Sequence, residues 1–174
     1  FNLMLSYCWA QQDLVKRMRA YLGRMGFVVW FDIEQMKGSV TDAMAQAVEN
    51  SEAIVYCMSQ KYKESANCHS EANYAHQQKK AMIPLLVDEN YTPDGWLGFL
   101  LGDNKPREFF GKAIATETLF EAQMDRLCHV LGQFTGHSVE DPSAEAVVGG
   151  RSMEFNGADI VGRIACELTF YVGP

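Results

Sequence analysis

No apolar run in the sequence approaches the ~20 residues of a membrane-spanning helix. The opening, Phe1-Asn2-Leu3, runs straight into strand-like sequence, so it does not read as a signal peptide, and the chain reads as a fragment of something longer. Basic charge is short: 15 Lys and Arg stand against 22 Asp and Glu, for a net charge of -7. That balance repels phosphate backbones and anionic bilayers, which excludes nucleic acid and membrane as main partners. Neither GxxxxGK[ST] nor GxGxxG occurs, so neither phosphate-binding glycine loop is present. Cysteine is not scarce, but the five (8, 57, 68, 128 and 166) are odd in number, contain no CxxC and sit in apolar segments. They read as free buried thiols in a reducing, cytoplasmic compartment.

What is present is the material of a packed core. Hydrophobic residues make up 48% of the 174, enough for one domain of usual size plus an appendage. Apolar strands alternate with amphipathic helices. Strands are expected at Asn2–Tyr7, Phe27–Phe31, Ala53–Met58, Met82–Val87 and around Arg107–Phe110. Pro84 costs the fourth strand a ladder hydrogen bond, which places that strand near an edge. The first helix runs from Gln12 to Met25 and stops at Gly26. Val40, Met44, Ala47 and Val48 stripe the second, and the third spans Ala66 to Lys80. The last helix opens with Thr118-Leu-Phe-Glu121 as a capping box. It carries Phe120, Met124, Leu127, Leu131 and Phe134 on one face and ends at Gly136.

Strands that are apolar throughout are buried on both faces, and helical connections make neighbours parallel. The result is a three-layer, doubly wound α/β fold, which binds ligands at the carboxyl ends of its strands. Those ends carry Ser6-Tyr7, Asp32, Ser59 and Asp88, a polar rim that solvent exposure alone would also explain. A phosphoacceptor receiver would want acids after the first strand and an Asp after the third, and a flavin site a hydroxyl-rich first loop. The sequence offers Ser6-Tyr7, Ser59 and Cys8-Trp9-Ala10-Gln11 instead. No metal is expected: in Cys68-His69 and Cys128-His129 the neighbours diverge by roughly 100° on a helix and cannot chelate one ion unaided.

Five strings in register, LMLSYCW, VVWFDIEQMKGS, AMAQAVENSEAIVYCMS, the CHSE run and MIPLLVD, resemble a TIR domain over roughly residues 1 to 135. The resemblance implies a flavodoxin-like arrangement of five parallel strands and a role in signalling and innate immunity. It equates the segment containing Met36, Lys37, Gly38 and Ser39 with the BB loop, through which such domains self-associate and contact other TIR domains. Two functions follow from different classes. Some members are non-enzymatic adaptors that recruit other TIR domains. Others cleave NAD+ as a substrate, with no further cofactor, at the nicotinamide–ribose bond, giving linear or cyclic ADP-ribose. Those enzymes use a third-helix glutamate, often with a cysteine three residues earlier. That pattern falls on Glu71 and Cys68, thirteen residues before Pro84.

The residues themselves are compatible with this. Cys68, Glu71, Ala72 and Ala75 fall at i, i+3, i+4 and i+7, so the carboxylate projects from a stripe of small core-facing residues. The plainer reading is a first-turn acid complementing the helix dipole. Tyr7 and Trp9 are candidates to stack on a ring of the substrate, although Trp9 also reads as a lid over the core. Asp32 and Ser59 are candidates for ribose hydroxyls, or they simply begin loops. Tyr91 is a further rim candidate, while Trp96 beside Leu97, Phe99 and Leu100 reads as core. Active members usually carry a Trp four residues before the glutamate. Asn67 stands there instead, either as a weaker contact or as a helix N-cap. Cys8 and Trp9 replace the animal enzyme's basic residues, and Val40 replaces the BB-loop aromatic.

Beyond Gly136 the acidic, Pro/Gly-marked stretch 137–150 reads as a linker. In residues 151–174, Cys166, Leu168, Phe170 and Val172 alternate as in a strand, while Ile160, Ile164 and Leu168 are spaced as in a helix; the strand is the favoured reading, opening a second module.

Overall fold

The computed structural model describes residues 2–30 and 40–136. Asp32, the loop residues Met36 to Ser39, and the linker and second module assigned to 137–174 lie outside the described residues. The described strands are β1 (Leu3–Ser6), β2 (Val29–Trp30), β3 (Ala53–Met58), β4 (Ala81–Leu86) and β5 (Arg107–Glu108). The helices are α1 (Gln12–Arg24), α2 (Val40–Asn50), α3 (Gln60–Glu64), α4 (Ala66–Gln77), α5 (Gly95–Leu101) and α6 (Glu117–Thr135). All strand pairs are parallel, in the order β2-β1-β3-β4-β5.

The period of two along each strand sorts side chains into the outer layers. Leu3, Leu5, Ala53, Val55 and Cys57 face Val15, Met18 and Leu22 of α1 and Phe120, Met124, Leu127 and Leu131 of α6. Met4 and Ile54 face the other way, onto Ala47 and Val48 of α2 and Ala75 of α4. Tyr56 and Met58 continue that second face toward Tyr62 of α3, Cys68 of α4 and Leu97 of α5. Every residue of β1 and β3 is buried. Each Leu or Val so placed contributes about 1.5–3 kcal/mol of burial.

Several boundaries differ from the sequence expectation. β2 begins at Val29 rather than Phe27, because the Phe27 N–H bonds back to the Leu22 carbonyl at 3.0 Å and closes α1, with Gly26 at φ 86°. α4 stops at Gln77, where Lys79 turns left-handed (φ 54°) and Lys80 donates to the carbonyls of Glu49 and Ser51 at 2.6 and 2.9 Å. β4 lies one strand in from the edge, and its two-residue pairing with β5 begins only after Pro84. The cap of α6 is Thr116, whose hydroxyl accepts from Leu119 N–H at 3.2 Å, rather than a box of Thr118 and Glu121. That earlier start puts Glu117 in the first turn, where the dipole favours an acid and where it pairs with Arg17 at 2.8 Å. Phe134 is exposed instead of completing the α6 face, and Cys128 takes a core place. Gly136 ends the helix in the left-handed conformation (φ 62°). α3 and α5 had no counterpart in the expectation.

Candidate functional site

The order 2-1-3-4-5 puts a topological switch between β1 and β3. The connections leave the sheet on opposite faces there, the place where such folds bind ligands, outside the strands' carboxyl ends. Ser6 ends β1 at that point. It follows Met4 on the α2/α4 face and is buried there at 2% exposure. Its Oγ lies 2.7 Å from Glu71 Oε2 on α4 and 2.7 Å from Tyr62 Oη on α3. An ionised carboxylate only accepts, so Ser6 donates to Glu71. The serine has a single proton, and so the Tyr62 hydroxyl donates to Ser6.

Glu71 is half-buried, while Cys68, Ala72 and Ala75 of its stripe are in the core. The cap of α4 is Ser65, whose hydroxyl accepts from Cys68 N–H at 3.3 Å. Glu71 is therefore the sixth helical residue, and the first turn holds no acid. Dipole complementation fades within the first turn, so it does not explain Glu71. Asn67 is likewise not the cap. It stands exposed one turn before Glu71.

A cleft of about 580 Å³ runs between α2 and α4, with Glu71 in its wall. Met44 and Val48 line it from α2, and Asn67, Ser70, Asn73, Tyr74 and Gln77 from α4. A mixed lining with a few convergent polar groups, in this size range, suits a small polar ligand. The Tyr74 hydroxyl is tied to the Glu49 carboxylate. Glu71 is the only carboxylate among the described lining residues, which include no His, Lys or Cys. Such a carboxylate can stabilise a cation or take up a proton.

The remaining candidates fall elsewhere. Tyr7 is buried in the α1/α6 core. Trp9 stands in a 3₁₀ turn, Trp9–Gln11, at 63% exposure, so it is not a lid over the core. Ser59 is fully buried and caps α3, accepting from Tyr62 N–H at 3.0 Å. Asp88 accepts from the N–H groups of Asn90 and Gln60. Tyr91 is buried with Met58 and Leu97, and that burial raises its hydroxyl pKa. Trp96 packs half-buried, donating to the Lys63 carbonyl at 3.1 Å with His69 against its ring, whereas Phe99 is 87% exposed. The Cys68 thiol is pushed up to about 12 by burial and contacts the Tyr7 carbonyl at 3.6 Å, which marks it as packing rather than nucleophile. Among the described residues, no group of three or more His, Cys, Asp or Glu could hold a metal, and no helix is long and apolar enough to cross a membrane. Sequence reasoning missed Tyr62 and the cleft residues Ser70, Asn73, Tyr74 and Gln77. Helical spacing from Asn67 would have found Ser70, Tyr74 and Gln77, which follow it at i+3, i+7 and i+10 on one face.

The TIR domain family model matches residues 3–128. Among solved structures, the TIR domain of the Toll-related receptor TRR-2 from the lower metazoan Hydra magnipapillata has a TM-score of 0.58 at 16% identity. That match covers 75% of this chain and 98% of that one. A flavodoxin-like domain from Synechococcus sp. has a TM-score of 0.51 at 16% identity, covering 78% and 99%. The TIR domains of the activated Roq1 resistosome, a structure described as directly recognizing the pathogen effector XopQ, have a TM-score of 0.48 at 17% identity, covering 83% and 89%. At 16% identity the likeness to the first two is one of fold. None of the curated proteins matches the chain.

Proposed function

The chain belongs to the TIR domain family, and we propose that this TIR domain cleaves NAD+ at the nicotinamide–ribose bond, with Glu71 as its catalytic residue. One observation carries the reading: Glu71, the one carboxylate among the described lining residues, is half-buried in the wall of the α2/α4 cleft and is tied to β1 by a 2.7 Å hydrogen bond from Ser6.

The reaction suits one carboxylate. When the bond between ribose C1′ and the nicotinamide nitrogen breaks, its electron pair neutralises the pyridinium. Nicotinamide then leaves as a neutral ring and needs no proton, unlike the leaving group in most glycoside hydrolysis. Positive charge develops on the ribose, and a fixed anion stabilises it. At ~4 Å and an effective dielectric of about 20 the attraction is about 4 kcal/mol, or about a thousandfold in rate. Water then adds to C1′ and loses a proton, giving ADP-ribose, or a ring nitrogen of the adenine adds and the product is cyclic. In this reading the Glu71 carboxylate accepts the water's proton.

We also propose that the domain self-associates through the segment Met36–Ser39, head to tail, since a loop meeting a different surface on its neighbour does not close as a two-fold dimer. The four described cysteines are free thiols, which supports a reducing, cytoplasmic setting. Incubating the purified chain with NAD+ and measuring released nicotinamide tests the enzymatic reading. Assembly without any release at high protein concentration would leave an adaptor that acts by TIR–TIR binding alone.

A further inference from the structure

We infer that Ser6 and Tyr62 are positioning residues for Glu71, forming a buried relay in which the tyrosine hydroxyl donates to the serine and the serine to the carboxylate. The inference rests on the reading of Glu71 as the catalytic group, but its geometry is independent of that reading.

The two 2.7 Å contacts join β1, α3 and α4 across 56 and 65 residues of sequence. Neither hydroxyl is needed for packing. Tyr62 is fully buried in the cluster with Tyr56, Met58 and Leu97, where a phenylalanine ring would fill the same space. A buried hydroxyl costs stability unless it is bonded, and the partner of this one is Ser6. The tyrosine is held in turn: its N–H donates to Ser59 Oγ at 3.0 Å, and its ring lies 6.2 Å from the Trp96 ring. Burial and the nearby Glu71 charge raise the Tyr62 pKa well above its ordinary value, so it remains a donor. Cys68, on the Glu71 helix, is kept neutral in the same way.

The consequence is a carboxylate whose Oε2 is fixed to the sheet, which sets its plane before substrate arrives. Electrostatic stabilisation depends on such pre-orientation, because a group that must rotate or shed water during the reaction loses much of its effect.

The test uses Ser6→Ala, Tyr62→Phe and the double variant of the full chain. Ser6→Ala should lower kcat for NAD+ cleavage about tenfold or more, with KM within about twofold, as expected when an interaction realised only in the transition state is lost. Tyr62→Phe should lower kcat by less. The double variant should be no worse than Ser6→Ala, because the tyrosine's hydrogen bond acts on Glu71 through the serine. Wild-type kcat in Ser6→Ala, or fully multiplicative losses in the double variant, would overturn the relay. A second readout does not need turnover: the pH titration of the Glu71 side-chain carboxyl, followed by carbon-13 NMR. Losing a hydrogen bond to the charged form should raise the Glu71 pKa in Ser6→Ala by about one pH unit. An unchanged titration overturns the relay. A raised pKa in a protein that never releases nicotinamide supports the relay and removes NAD+ cleavage from the proposed function.

Discussion

Replacing Asn67 with tryptophan should tighten NAD+ binding at little cost to the fold. Asn67 is exposed on α4, lines the cleft and lies one helical turn before Glu71, on the same side. An indole there would offer an apolar face to a bound ring, worth about 0.5–1.5 kcal/mol beyond what asparagine provides. That corresponds to roughly two- to twelvefold in Kd. The stability side follows from the cap. Ser65, not Asn67, satisfies the first-turn N–H of Cys68, so Asn67→Trp removes no capping bond, and helix propensities of the two residues are similar. Ser65→Ala is the comparison that should hurt, by about 1 kcal/mol. Binding should be measured by calorimetry in a Glu71→Gln background, so that turnover does not intrude, alongside melting curves of both variants. An Asn67→Trp protein destabilised as much as Ser65→Ala, with unchanged NAD+ affinity, would refute both the capping assignment and the stacking argument.

Thiol reactivity and assembly give two further expectations. Burial pushes the thiols of Cys57, Cys68 and Cys128 up to about 12. Alkylation of the native protein at pH 8 should therefore spare all three, and mass spectrometry showing Cys68 modified as fast as in the unfolded chain would contradict its placement. Gly38→Pro, which restricts the backbone of the proposed interaction loop, should lower both self-association and NAD+ cleavage. Light scattering that shows unchanged assembly would remove the loop from that role.

Legibility followed burial. β3 is read residue for residue, because Ala53–Met58 is an unbroken apolar run buried on both faces. The ends of α1 and α6 are announced by Gly26 and Gly136, each needed at positive φ. α3 is one turn of polar residues around a single buried Tyr62, and α5 carries two glycines among apolar residues, so neither shows a helical period. The Thr118–Glu121 spacing reads as a capping box for α6, but the helix begins two residues earlier, capped by Thr116. At the site, the Cys68-Glu71-Ala72-Ala75 stripe is a local pattern and was legible. The contacts from Ser6 and Tyr62 were not, because only the sheet order and the alternation along β1 bring those hydroxyls to Glu71.

The most direct test of the account is nicotinamide release from NAD+ by the wild-type chain and by Glu71→Ala, at matched concentration and with melting temperatures measured in parallel. Wild type should release nicotinamide, and the variant should lose at least about a hundredfold of the rate while staying folded, as expected when a main electrostatic stabiliser is removed. Equal release by both proteins, or none by either at high concentration, would contradict the assignment of Glu71 as the catalytic residue.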